Sequence, residues 1–174
     1  MNTANKLTMI RVAMIPVFLV VLYIGFAGSN YAAMAVFILA GLTDIADGYI
    51  ARTRSQVTDF GKFTDPLADK ILVVSALLWY VEQGVIPAWA ALIVIVREFM
   101  VTALRLIAVG NGRVIAAGLT GKIKTVVTMV CLTIMFLDLQ QWMIYICIGA
   151  ITATTLISGI EYYVKNRDVL RLDR

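Results

Sequence analysis

Hydrophobic positions in this chain gather in six long runs separated by short polar joints. The runs are Leu7–Ala27, Tyr31–Ile50, Pro66–Val81, Pro87–Val109, Leu119–Leu137 and Trp142–Val164. Each approaches the roughly 20 residues that a bilayer-spanning helix needs, the third being the shortest. The pattern predicts an all-α integral membrane protein with six transmembrane helices, forming a single domain over residues 1–174. The joints at Gly28–Asn30, Glu82–Gly84, Gly110–Gly112 and Asp138–Gln141 are short, and the longest connection runs from Thr53 to Thr64. Short joints imply antiparallel neighbours. The first run has polar residues on both sides and is soon followed by another, so it reads as a span and not as a removable signal peptide.

Composition narrows this further. With 61% hydrophobic and 15% charged residues, and a mean hydropathy of +0.88, an ordinary soluble domain is excluded. The basic residues are unevenly placed. Lys6 and Arg11 open the first run; Arg52, Arg54, Lys62 and Lys70 surround the second joint; Arg105, Arg113, Lys122 and Lys124 surround the fourth; Lys165, Arg167, Arg171 and Arg174 follow the last run. The three opposite joints hold no Lys or Arg, so the positive-inside rule puts both termini in the cytoplasm. The net charge of +4 then reflects orientation and attraction to anionic membrane lipids. A nucleic-acid partner would need a soluble basic face, which is missing. Cys131 and Cys147 lie inside apolar runs and read as small fillers. There is no histidine, so proton transfer falls to a carboxylate.

One stretch concentrates acid in this apolar chain. If Thr43 to Arg52 ends a helix, Asp44, Asp47, Gly48, Ala51 and Arg52 share one face, with carboxylates at one end and a cation at the other. Gly48 and Ala51 between them leave a trough where a bulky group can approach the backbone. Asp65 and Asp69 repeat the spacing on the next helix, with Asp65 as its expected cap and Pro66 in its first turn. Four carboxylates from two adjacent helices form an all-oxygen nest suited to a hard divalent cation, magnesium or manganese. Without a cation they would repel one another.

The eight positions Asp44, Asp47, Gly48, Ala51, Arg52, Gly61, Asp65 and Asp69 match the signature of the CDP-alcohol phosphatidyltransferases, and the chain resembles that family. The resemblance implies an integral membrane enzyme, a homodimer, that uses two divalent cations to move a phosphoalcohol group from a CDP-alcohol to a second alcohol, releasing CMP. It assigns Asp44, Asp47, Asp65 and Asp69 to the metals, Asp69 also to proton abstraction, and Gly48, Ala51, Arg52 and Thr58 to the CDP-diacylglycerol site. Asn5, Thr8 and Arg11 fall at three-residue spacing, which alone reads as a capped, snorkelling helix start. The family pattern adds Asn5 and Thr8 to the nucleotide site, with Ala4 where the family has Pro.

The second informative stretch is Arg97-Glu98-Phe99 through Arg105, then Arg113 and Gly121-Lys122-Ile123-Lys124-Thr125. Arg97 lies well inside its run, where an ionisable side chain is costly unless paired or solvated. Glu98 projects about 100° away on a helix and is not an obvious partner. Arg97, Arg105, Lys122 and Lys124 can converge as a polyanion pocket, although Arg113 and Lys124 also fit a snorkelling role. The stretch resembles phosphatidylglycerophosphate synthases, with Gly118 where that group has Ser. That likeness implies phosphatidyl transfer from CDP-diacylglycerol to glycerol 3-phosphate, with Arg97, Arg105, Arg113, Lys122 and Lys124 as glycerol-phosphate ligands. It places the enzyme in the cytoplasmic membrane, multi-pass, with its active site facing the cytoplasm. Two alternatives stay open: another CDP-alcohol phosphotransferase, of the inositol-phosphate or cardiolipin-forming type, and a small cation- or proton-coupled membrane transporter.

Overall fold

The computed structural model describes residues 3–54, 59–110, 112, 115 and 118–167, with side chains at all of these except 3–8, 44–54 and 59–69. In chain order its helices are α1 (Thr3–Ile24), α2 (Ser29–Arg54), α3 (Asp59–Glu82), α4 (Ala88–Gly110), α5 (Leu119–Ile134) and α6 (Gln141–Asn166). Among the described residues there is no strand. One helix falls on each hydrophobic run, and the differences are at the ends.

α3 begins at Asp59, more than a turn before the expected start at Asp65 and Pro66. A proline inside a helix costs a backbone hydrogen bond and crowds the preceding turn. Packing along the rest of a helix offsets that cost, and α1 likewise continues through Pro16. The expected connection from Thr53 to Thr64 shrinks accordingly to 55–58, which lies outside the described residues. The shortest helix is α5, with 16 residues, and not α3, with 24. Hydrophobicity runs on to Leu137, but the backbone tightens first: Phe136 N–H reaches Thr133 O at 3.2 Å and Leu137 N–H reaches Ile134 O at 3.0 Å, both three-residue closures. Gly28 (φ +91°) and Gly84 (φ +68°) take left-handed conformations in the first and third joints, which cost a residue with a Cβ far more than glycine.

α1 packs on α2 and α3, while α4 and α5 pack on α6. Lighter contacts join α3 to α4, and α2 and α3 to each other and to α5. At the α2–α5 contact Met129 Cε occupies the space beside Gly41, where a Cβ would lie 2.6 Å from it. Toward the ends where α1 meets α2 and α5 meets α6, the core is aromatic. Phe136 stands 5.8 Å from Phe18, 6.1 Å from Phe37 and 5.1 Å from Tyr80 between ring centroids. The buried Tyr80 hydroxyl donates to Leu132 O at 3.2 Å.

Among the described residues every helix carries exposed apolar side chains, Val17, Leu39, Leu78, Leu92, Val126 and Ile160 among them. Among the described residues, α6 is the one helix long and apolar enough to cross a membrane by length and composition, and Met9–Ile24 and Ser29–Thr43 are shorter apolar segments. α4 carries Arg97, Glu98 and Arg105. α5, at roughly 1.5 Å per residue, is about 24 Å long against a hydrocarbon core of about 30 Å.

Candidate functional site

The signature residues fall on two helices that touch. Asp44, Asp47, Gly48, Ala51 and Arg52 belong to α2, which is helical through Arg54, and Asp65 and Asp69 belong to α3. Their side chains, and those of Asn5 and Thr8 in α1, lie outside the described residues, as do Thr58 and Arg113 altogether. Among the described residues no competing set of three metal-ligating side chains gathers.

Cations flank the signature on both sides. Arg11, read from the sequence as a snorkelling side chain, is fully buried. Its Nε donates to Thr43 Oγ1 at 3.4 Å, one residue before Asp44, and Thr43 donates in turn to Ala40 O at 2.7 Å. On the other side Lys70, next to Asp69, donates to Thr102 Oγ1 of α4.

The clearest polar construction within the described residues centres on Arg97. NH2 donates to Ser158 Oγ of α6 at 2.6 Å, and NH1 donates to Glu98 Oε1 at 3.0 Å. Glu98 is therefore its partner after all. The 100° separation of adjacent helix positions is bridged by the length and flexibility of the two side chains. Lys124 Nζ of α5 reaches the same carboxylate oxygen at 2.6 Å. Lys124 is buried, 4% exposed, and not a snorkelling cation. Thr102 closes the set by donating to Glu98 O at 2.7 Å. Two positive charges share one negative, leaving a net charge of one for the trio.

Gly159 gives Arg97 room to lie this deep, while Gly121 leaves ordinary contact distance. A Cβ on Gly159 would stand 3.2 Å from Arg97 Cγ, and one on Gly121 3.5 Å from NH2. Arg97 thus threads between glycines of α5 and α6, the close approach that small residues permit in membrane bundles. Its Nε is buried with no hydrogen-bond partner among the described residues, an omission that costs about 1–3 kcal/mol.

Arg105 lies two turns beyond Arg97, where Nε donates to Tyr162 OH at 3.2 Å and the guanidinium carbon is 5.7 Å from the ring centroid. Lys122 is exposed, as expected two residues from buried Lys124 on the same helix. The structure therefore brings Arg97 and Lys124 together through Glu98, holds Arg105 nearby on Tyr162, and leaves Lys122 on the surface. Two clefts of about 480 Å³ complete the picture, each apolar apart from an arginine and a few hydroxyls. One lies between α4 and α6 and includes Arg97, Met100 and Thr155. The other lies between α2, α3 and α5 and includes Arg11, Gly41 and Met129.

Sequence reasoning missed Glu98, Ser158, Gly159 and Tyr162. A signal existed: an acid within an apolar run demands a counter-charge. Thr155, Ser158, Gly159 and Tyr162 also recur at helical spacing as the small and polar face of α6.

The sequence profile of the CDP-alcohol phosphatidyltransferase family matches residues 1–156. The CDP-diacylglycerol–glycerol-3-phosphate 3-phosphatidyltransferase of Bacillus subtilis is 37% identical over 98% of this chain and 97% of its own. A probable phosphatidylglycerophosphate synthase of Mycobacterium tuberculosis is 37% identical over 94% and 81%. The CDP-diacylglycerol–glycerol-3-phosphate 3-phosphatidyltransferase of Wigglesworthia glossinidia brevipalpis is 34% identical over 98% of each.

Proposed function

The chain belongs to the CDP-alcohol phosphatidyltransferase family, and from that premise we propose that it transfers the phosphatidyl group of CDP-diacylglycerol to glycerol 3-phosphate, releasing CMP. The observation that carries the acceptor is the net-positive set Arg97, Glu98 and Lys124, with Arg105 close by, inside an apolar bundle whose relatives are named for that acceptor. A doubly anionic phosphate suits fixed guanidinium groups, which hold it bidentately. Arg113 and Lys122 extend the same basic region in the proposal.

The donor belongs at the other cluster. Asp44, Asp47, Asp65 and Asp69 are an oxygen-only donor set on two touching helices, which fits hard divalent cations. Two such ions, magnesium or manganese, would supply positive charge for the pyrophosphate and the departing CMP. Gly48 and Ala51 admit the cytidine close to α2, with Arg52, Thr58, Asn5 and Thr8 as polar supports. In the proposal an acyl chain of the donor lies in the largely apolar cleft lined by Arg11, Leu42 and Met129. Asp69 takes the proton from the acceptor hydroxyl as its oxygen bonds to the phosphatidyl phosphorus, and the bond to the CMP oxygen breaks. The exposed apolar side chains on all six helices support six spans in the cytoplasmic membrane, and the placement of Lys and Arg supports both termini and the site on the cytoplasmic side. The enzyme is a homodimer of this one domain, as the family resemblance implies.

Reconstituted protein supplied with CDP-diacylglycerol, magnesium or manganese and a panel of alcohols tests the reading. Glycerol 3-phosphate should yield phosphatidylglycerophosphate and CMP in equal amounts, and chelation should stop both. Preference for inositol phosphate, phosphatidylglycerol or an uncharged alcohol overturns the acceptor assignment.

A further inference from the structure

Glu98 is given no contact with either substrate in the transfer described above, yet the contacts of the charged region meet on it. Its Oε1 accepts from Arg97 NH1 and from Lys124 Nζ, and its backbone oxygen accepts from Thr102, the residue that Lys70 contacts. Through these atoms α3, α4 and α5 are tied at one residue, and Arg97 extends the tie to α6 through Ser158. Side chains at i and i+1 do not face one another on a helix. Arg97 therefore turns across its own helix to reach Glu98, and in that pose its Nε is left without a partner among the described residues. A pose with an orphaned donor is not the one that stability alone selects.

We propose that Glu98 is a positioning residue for the acceptor phosphate. A guanidinium has five N–H donors, and the contacts to Glu98 and Ser158 take one from each terminal nitrogen of Arg97. With those two anchored, the second N–H on NH1 and on NH2 holds a fixed direction and makes the phosphate contact. Lys124 is the counter-ion that keeps Glu98 ionised and in place, and it is not a phosphate ligand itself; Arg105 supplies the second phosphate-facing cation. This inference rests on the reading of Arg97 as a ligand of the acceptor.

Net charge and placement predict opposite outcomes, which makes the idea testable. Glu98→Gln raises the trio from one positive charge to two. If charge alone governed the site, acceptor affinity would rise; if Glu98 places Arg97, it falls. The double variant Glu98→Met with Lys124→Met keeps the net charge of one, removes the anchor and leaves no buried lysine without a counter-ion. It thereby covers the case in which Glu98→Gln alone does not fold.

Steady-state kinetics on both substrates, and the thermal shift produced by glycerol 3-phosphate, are measured on wild type and both variants. The expected result is an acceptor KM raised on the order of tenfold with the donor KM within about twofold, and a smaller thermal shift. An acceptor KM that is unchanged or lowered in the double variant overturns the proposal. So does an equal loss toward both substrates, which marks Glu98 as a general brace. Wild-type protein that neither turns over glycerol 3-phosphate nor is stabilised by it defeats the acceptor assignment beneath. Wild type that does both, with variants that do the same, defeats only the role of Glu98.

Discussion

Around Phe136 the bundle closes on aromatic rings from α1, α2 and α3, and the buried hydroxyl of Tyr80 finds a backbone oxygen. Around Arg97 it closes on two cations and one carboxylate, and Nε of Arg97 finds nothing among the described residues. Both regions are buried, but they are buried for different reasons. The aromatic region resembles a soluble core, where shape and area decide. The charged region keeps ions that a set of packed apolar side chains could replace without loss of stability. Retaining charge there makes sense if something anionic is to be received. If the charged region receives the acceptor as proposed, stability and reactivity sit in separate parts of one bundle, and substitutions should separate them.

The largest expected effect is at the acidic signature. Asp65→Asn, or the same change at Asp44, Asp47 or Asp69, should lower turnover by about a thousandfold or more, equivalent to about 4 kcal/mol of barrier. The protein should still fold and insert, because no apolar packing is lost. Turnover measured beside thermal melting checks both halves. Substantial activity in Asp65→Asn would sink the shared metal site.

Phe136→Ala tests the opposite region. Removing a ring that touches three others should cost about 3–5 kcal/mol of stability, with each KM within about twofold of wild type. Melting and kinetics on one preparation decide it. A KM shift comparable to the stability loss would mean that the two regions are mechanically one.

Arg105→Ala should be milder, raising the acceptor KM about tenfold, or about 1.4 kcal/mol, while the donor KM holds. Arg105→Lys should rescue only in part, since an ammonium lacks the planar fork that engages Tyr162 and a phosphate together. Lys122→Ala should act in the same direction and less strongly, because that side chain is exposed. If both alanine variants bind glycerol 3-phosphate normally, the acceptor is held elsewhere.

The two regions also differ in how far they can be read from sequence. Six helices follow directly from hydrophobic runs, because burial in lipid or protein demands long apolar blocks. The eight signature positions are visible because they match a family pattern of fixed residue types at fixed spacing. The pairing of Glu98 with Arg97 and Lys124 is not visible in that way. It depends on which faces of α4, α5 and α6 meet, and on Gly159 being small where Arg97 passes. Periodicity gives one helix's face but not its neighbour's. The burial of Arg11 was hidden for the same reason: a cation near a run's start looks like a snorkelling side chain until α2 is seen against it. Helix ends were the other loss, since Pro66 looked like a start although the helix runs through it.

The smallest predicted effect lies at Gly118, where the synthase pattern that this stretch resembles has serine. It is the N-cap of α5, with φ −68° and ψ 162° and no side-chain cap bond. That backbone conformation is open to any residue, and a Cβ there meets nothing closer than Thr120 Oγ1 at 3.8 Å. Serine would add an oxygen able to accept from a free N–H in the first turn of α5, and it would reduce the freedom of the unfolded chain. Gly118→Ser should therefore stabilise by a few tenths of a kcal/mol, roughly the difference between glycine and serine as N-caps, seen as a small rise in melting temperature. Its effect on kinetics should be slight, because the first turn of α5 carries Gly121 beside Arg97 and needs only to stay where it is. A fall in melting temperature would show that this turn depends on glycine for a reason other than space. A change in acceptor KM larger than that of Lys122→Ala would instead place the start of α5 within the phosphate site and erase the line drawn between bracing and binding.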